Sequence, residues 1–286
     1  MTGKSSTKKF DITSSAEVTS KGLYADPLIY EVLHQPGTRG EAIHIERIAW
    51  RHVGVSDGPM TFLEPASGTG RYLLALAERG HRGVGVDLSA AMVRFARRRA
   101  REQGQATRLS YIAAAMERFT LPRRWRGKVD AAFNPINSIR HLMDDASMLA
   151  HFDAVRAALR PGGVYVVGIE LSNQRYAQPT EDVWRGRDRA AGLSVQQNVS
   201  YVPPGRGGRA EVVTSHLTVR DRHRDARRVR HFDDRYELRT YSRPQWMTLL
   251  KAAGWSLVAA YNGRGEAVKV ASIGYRLQVL MTEPRG

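Results

Sequence analysis

The stretch Glu64-Pro65-Ala66-Ser67-Gly68-Thr69-Gly70-Arg71 constrains this chain more than any other. It follows the apolar run Met60–Pro65, which reads as a strand, and opens a helix over Tyr72–Glu78. Small residues let the backbone turn sharply and come close to a ligand, and the helix start presents unpaired N–H groups. A second strand, Gly83–Asp87, ends in an acid 19 residues beyond Gly68, placed to accept both hydroxyl hydrogens of a ribose. Such a turn suits an adenosine cofactor. A dinucleotide fingerprint wants a third Gly where this chain has Leu73, and a P-loop wants a Gly-Lys-Ser/Thr that is missing.

The alternation of strand and helix continues. Helical spacing covers residues 41–54, and Ser89 stands to cap a helix carrying Met92, Phe95 and Ala96. Leu109–Ala113 and Val129–Asn134 read as strands. Asp145–Leu159 reads as a helix that Pro161-Gly162-Gly163 stops, ahead of a strand over Val164–Ile169. This order predicts an α/β fold, a doubly wound, mostly parallel, Rossmann-like sheet of about seven strands. From about Val183 to Tyr241 the period changes to two, which predicts an antiparallel β insertion of about three strands. Helical spacing returns at Ser242, with Pro244 in the first turn and Gly254 past the end, and Trp255–Tyr261 and Tyr275–Met281 close the sheet. The expected organisation is a tail and lid segment over 1–40, a core over 41–171 and 242–286, and an insertion over 172–241 that covers the acceptor site or forms a dimer surface.

Composition excludes several classes. There is no Cys, so disulfides, thiolate metal sites and a Cys nucleophile are ruled out, and a reducing cytoplasmic location fits. No apolar run approaches the roughly 18 residues of a membrane span, and Met1–Phe10 is Lys/Ser/Thr-rich, a frayed tail rather than a signal peptide. His-Glu-x-x-His and Gly-x-Ser-x-Gly are missing, so no metal site and no hydrolase elbow is expected. The net charge of +16 attracts polyanions, but the basic residues are scattered. The densest run, Arg220–Arg230, contains Asp221 and Asp225 and no aromatic residue, so a solvated hairpin turn is favoured over an RNA-binding patch.

Taken together, these segments resemble the motifs of class I S-adenosylmethionine-dependent methyltransferases. Glu64–Arg71 resembles the first motif, Val84-Gly85-Val86-Asp87-Leu88-Ser89 with Met92 the second, and Tyr111–Phe119 stands where the third occurs. Val129–Leu142 and Leu159–Gly163 resemble the fourth and fifth. The resemblance implies S-adenosylmethionine as cofactor, with S-adenosylhomocysteine as product. Glu64, Ala66, Gly68, Thr69 and Gly70 would form the turn around its methionine portion, Asp87 would hold the ribose, and Leu88 and Met92 would pack near the adenine. Asn134 would open the floor beside the methionyl group. The third motif often offers an acid or Asn to the adenine amine, where this chain has Ala115-Met116-Glu117. Met116 stacking with a backbone contact, or Glu117 reaching in, would replace it.

After the fourth strand, Asn134-Pro135-Ile136-Asn137 admits a reading as the Asn-Pro-x-x of nucleic-acid amine methyltransferases, but Asn137 cannot stack on a flipped base. Asn137-Ser138-x-x-His141-Leu142 instead resembles the Asn-Ser-x-x-His-Leu of glycine/sarcosine-type and amino-sugar N-methyltransferases, and this second version is preferred. It implies transfer of a methyl group to a nitrogen or oxygen of a small-molecule acceptor by a monomer or homodimer. RNA or protein methylation and non-catalytic cofactor binding are the alternatives. His141, Asn137 and Tyr24 are the candidate catalytic residues, with His141 accepting a proton from the acceptor. In this group a Tyr-containing N-terminal segment closes over the cofactor and a later Arg meets its carboxylate, which points to Tyr24, Tyr30 and Arg39. Plain packing of the aromatic residues against the sheet is the competing account.

Overall fold

The computed structural model of the protein describes residues 22–54, 58–172, 176–222, 229–270 and 274–282. The tail Met1–Phe10 and the middle of the basic run lie outside them. Asp26 caps α1 (Pro27–His34) by accepting from the N–H groups of Leu28 and Ile29, and Pro27 sits in the first turn, where no intrahelical N–H is needed. After α2 (Thr38–Val53), strands and helices alternate: β1 (Thr61–Pro65), α3 (Arg71–Glu78), β2 (Arg82–Asp87), α4 (Ala90–Glu102), β3 (Leu109–Ala113) and β4 (Val129–Asn134). A single 3-10 turn, Ser138–His141, leads to α5 (Asp145–Ala158) and β5 (Leu159–Leu171). Strands β3, β2, β1, β4 and β5 run parallel side by side. The ladder from β4 to β5 already begins at Leu159, and Pro161-Gly162-Gly163 forms an irregularity within β5 instead of a loop before it.

Four strands follow: β6 (Thr180–Asp188), β7 (Leu193–Val202), β8 (Ala210–Asp221) and β9 (Val229–Arg239), paired antiparallel in chain order as a separate sheet. This is one strand more than the period-two pattern predicts. The extra strand is β6, whose Thr180, Asp182, Trp184 and Gly186 share a face with Tyr201, Val199, Gln197 and Val195. The first three line a cavity and Gly186 meets a helix backbone, so no apolar alternation marks this strand. The chain then returns through α6 (Arg243–Ala252), whose Ser242 and Gln245 form a capping box, to β10 (Trp255–Tyr261), β11 (Ala267–Val268) and β12 (Gly274–Thr282). β12 inserts antiparallel between β5 and β10, and the two-residue β11 brings the main sheet to eight strands.

Each face of the main sheet is covered. Phe152, Tyr165, Trp246 and Trp255 pack under α5 and α6 on one side, while Phe62, Leu73 and Phe133 pack under α2, α3 and α4 on the other. A third cluster packs α1 against the smaller sheet. Ile29, Val32 and Leu33, with Leu23 ahead of them, bury against Leu193, Val195, Leu217 and Val219 of the smaller sheet. Each such side chain contributes about 1.5–3 kcal/mol on burial, enough to hold a two-turn helix that would not persist alone.

Candidate active site

The turn after β1 closes on itself through the backbone. The Ser67 N–H donates to the Val86 carbonyl at 2.9 Å and the Gly70 N–H to the Ser67 carbonyl at 2.8 Å. The Gly68 N–H donates to one oxygen of Asp87 at 2.7 Å, and the Ser89 N–H donates to the other at 2.8 Å. Burial raises the Asp87 pKa, and these two N–H groups oppose that rise by stabilising the carboxylate. Ala66, Gly68 and Gly70 all take left-handed backbone conformations. At Gly70 a Cβ would lie 2.5 Å from the Tyr111 ring, so only glycine fits.

Glu64 is buried below this turn, with its Oε2 unpartnered. Burial pushes its carboxyl pKa well up, and Arg71 draws it back. The Arg71 guanidinium, itself buried, donates to the Thr38 hydroxyl at 2.5 Å and to the Tyr72 hydroxyl at 2.7 Å, and stands 3.6 Å from Glu41. Tyr30 leans on His34 with ring centroids 4.5 Å apart, and His34 meets Trp184 of β6 at 5.6 Å. Burial holds the His34 pKa at about 3, so its ring is neutral.

Beyond β4, Ile136 and Asn137 are consecutive left-handed residues with φ of 64° and 59°. That is strained for a β-branched side chain, and strain of this kind concentrates at functional sites. The loop is over-determined. Asn134 donates to the Pro65 carbonyl and accepts the Ile139 N–H, the Asn137 N–H donates to the Gly168 carbonyl, and the Asn137 side-chain oxygen accepts the Glu170 N–H at 2.7 Å. This holds His141 stacked on Tyr236, with centroids 5.6 Å apart and planes at 27°, and edge-on to Tyr24 at 6.2 Å. Burial, then the neighbouring Arg140, lowers the His141 pKa and favours the neutral ring. Tyr24 also stands edge-on to Tyr236 at 6.3 Å, and burial raises its phenol pKa well above the ordinary value. It keeps 49 % of its surface because it faces a cavity.

That cavity, of about 980 Å³, joins the two ends, and β6 to β9 wall its far side. Most of the residues expected from the sequence line it: Tyr24, Tyr30, Glu64, Ala66, Gly68 and Asp87, with Met92, Asn134, Asn137 and His141. Others do not. Arg39 lies on the exposed side of α2 and pairs with Glu78 at 3.2 Å, because the helical turn after Thr38 carries it away, whereas Arg71 lines the cavity. Leu88 is 78 % exposed and outside the lining, while its neighbour Ser89 is within it. Thr69 and Gly70 shape the turn from behind. Ala115, Met116 and Glu117 also stand outside: the Met116 carbonyl is taken by His151 Nδ1 at 2.8 Å, and the Glu117 carboxylate faces Arg118 at 3.7 Å. Arg71 and His34 were not singled out from sequence. Arg71 could have been, as the residue ending the small-residue turn, and His34 by its helical spacing of four from Tyr30.

With this geometry in view, residues 62–163 match the family described as methyltransferase domain. The chain carries a methyltransferase domain. It is 23 % identical over 206 residues to the methyltransferase YqeM of Bacillus subtilis (strain 168), covering 68 % of this chain and 73 % of that one. The fold of the chain is similar to that of DesVI of Streptomyces venezuelae, at a TM-score of 0.67 and 24 % identity over 92 % of this chain and 99 % of that one. It is similar also to the sugar N-methyltransferase KedS8 from Streptoalloteichus sp. ATCC 53650, at a TM-score of 0.65 and 22 % identity over 98 % and 100 % of the two chains. No helix among the described residues is long and apolar enough to cross a membrane.

Proposed function

We propose that the protein transfers a methyl group from S-adenosylmethionine to an amine nitrogen of a small-molecule acceptor. The observation that carries this reading is one continuous cavity with Asp87 and the small-residue turn at one end and His141 at the other. S-adenosylmethionine, when bound, supplies an electrophilic methyl group on a sulfonium. The residues at the first end fit it: Asp87 suits two ribose hydroxyls, the unpartnered Glu64 oxygen suits an ammonium, and Arg71 suits a carboxylate. Tyr30 and Tyr24 cover that end beside α1.

At the second end, His141 is neutral near pH 7 and can take a proton from an ammonium acceptor, leaving the nitrogen lone pair free. Tyr24 and Tyr236 hold the ring in place, and the side-chain nitrogen of Asn137 is available to the acceptor while its oxygen anchors the loop. Alignment in a site walled by aromatic rings supplies most of the rate, since methylation of a free amine needs geometry more than a strong base. A phosphate-bearing nucleic acid is a poor fit for a cavity lined by five carboxylates and two guanidiniums, the reverse of the balance in the whole chain.

Calorimetric titration with S-adenosylmethionine, followed by assay of label transfer from its methyl group to amino sugars and to tRNA, tests the reading. Binding with transfer to an amino sugar is the expected result. Failure to bind at millimolar concentration, or transfer to tRNA alone, would overturn it.

A further inference from the structure

The acceptor end of the cavity carries more negative charge than one amine needs. Glu170, Asp182 and Glu211 line it, and the cation beside them is Arg140, whose guanidinium is committed to Glu211 at 2.6 Å and to the Arg239 carbonyl at 2.9 Å. A chain with 44 basic and 28 acidic residues does not reach such a balance by composition alone.

Asp182 has a particular setting. In the register of β6 against β7 it lies opposite Val199, so Gln197 and Tyr201 are its diagonal neighbours on the same face. Gln197 is 5 % exposed and lines the cavity. Its side-chain nitrogen donates to the Ser215 hydroxyl at 2.8 Å, which leaves its oxygen turned to the cavity with no partner among the described residues. An unpartnered acceptor open to the cavity beside a carboxylate and a phenol suits a cationic N–H donor. The anionic surroundings register on Tyr201, whose phenol is pushed up to about 12 by burial and then by Tyr236, Asp182 and Glu211.

Asp182 stands apart from the ring on which His141 stacks. Tyr236, on which His141 stacks, lies on β9, and Asp182 lies on β6, three strand spacings away, roughly 14 Å at the backbone.

We propose that Asp182, Gln197 and Tyr201 form a second ammonium subsite, so that the acceptor carries, besides the nitrogen that is methylated, another basic nitrogen on a different ring or substituent. The inference rests on the proposed function and names its substrate class as a multiply basic amine. The same charge disfavours a phosphate group beside that second nitrogen.

The test measures binding to the full chain saturated with S-adenosylhomocysteine. The probes are neamine, which bears amino groups on two rings, D-glucosamine, and D-glucosamine 6-phosphate. Neamine should bind at least about tenfold more tightly than D-glucosamine, and the phosphate ester more weakly than either. The substitution Asp182→Asn should cut the neamine-to-glucosamine affinity ratio by about tenfold, Gln197→Leu should reduce it as well, and Asp182→Glu should recover part of it. S-adenosylhomocysteine affinity on the same samples reports whether each variant is folded. If that compound does not bind the parent protein, the proposed function fails and this inference with it. If it binds, then equal affinities for the two amines, failure of neamine to bind, or an unchanged ratio in both folded variants overturns the second subsite alone.

Discussion

Gly68 and Asp87, 19 residues apart in sequence, are joined by a 2.7 Å hydrogen bond from the Gly68 N–H to an Asp87 carboxylate oxygen. The bond sets the end of β2 against the turn after β1, so Asp87 braces that turn besides its proposed role as a ribose ligand. Replacing Asp87 by Asn leaves no charge to accept two ribose hydroxyls. The expected result is a loss of about 10–100-fold in S-adenosylmethionine affinity, on the order of 1.5–3 kcal/mol for hydrogen bonds to a charged group, measured by calorimetry. Because burial raises the Asp87 pKa, affinity should also fall as pH drops through that raised value, earlier than for a free aspartate.

Arg71 and Arg39 make a contrast. Arg71 is buried among Thr38, Tyr72 and Glu41 and lines the cavity, whereas Arg39 is exposed and pairs with Glu78 on the surface. Arg71→Met should weaken cofactor binding by tenfold or more and lower stability by about 3 kcal/mol, because it removes the cation that faces the buried Glu64. Arg39→Ala should change stability by under about 1 kcal/mol and leave cofactor affinity as it was. Denaturant melts and cofactor titrations on the two variants check this, and equal effects would contradict it.

His141 provides a pH signature. Its folded pKa lies below the ordinary value of 6.5, so between the two values the unfolded chain binds more protons than the folded one. Stability therefore rises with pH across that window, and this part of it is lost as pH falls. Turnover should decline on the acid side below the ordinary histidine value. His141→Ala should lower kcat about 100-fold with S-adenosylhomocysteine affinity kept, and should abolish that acid limb in a kcat profile.

Gly186 is the point where the smaller sheet meets α1. A Cβ there would lie 1.9 Å from the Val32 carbonyl oxygen, a backbone atom that cannot rotate aside. Gly186→Ala should push α1 off the sheet, with a loss of about 1–3 kcal/mol in stability. Cofactor affinity should drop as well, since α1 carries Tyr30 and His34. A variant with both unchanged would show that α1 is not clamped by this contact.

Local patterns made much of the core legible. β3 and β4 coincide with the apolar runs that announce them, and Ser242 with Pro244 marks the start of α6 as their capping chemistry requires. The turn from Glu64 to Arg71 and the acid at Asp87 declare their partnership through spacing, because a strand, a tight turn and a helix leave one place for the next strand to end. Where burial is not apolar, the pattern fails. β6 carries Asp182 and Trp184 inward to a cavity, so its alternation is hidden, and the two residues of β11 are too few to form any pattern.

What the sequence determined by itself is everything that depends on neighbours along the chain: the alternating strands and helices, the small-residue turn, and the pairing of that turn with Asp87. Only the tertiary structure decided which charges share the cavity. Arg71 rather than Arg39 faces inward because α2 and α3 pack side by side, and Tyr236, Asp182 and Glu211 reach the same space as His141 because a separate sheet folds over it. Those meetings join residues some 40 to 100 positions apart, and no periodicity or local propensity records which face of a distant strand will look into a cavity.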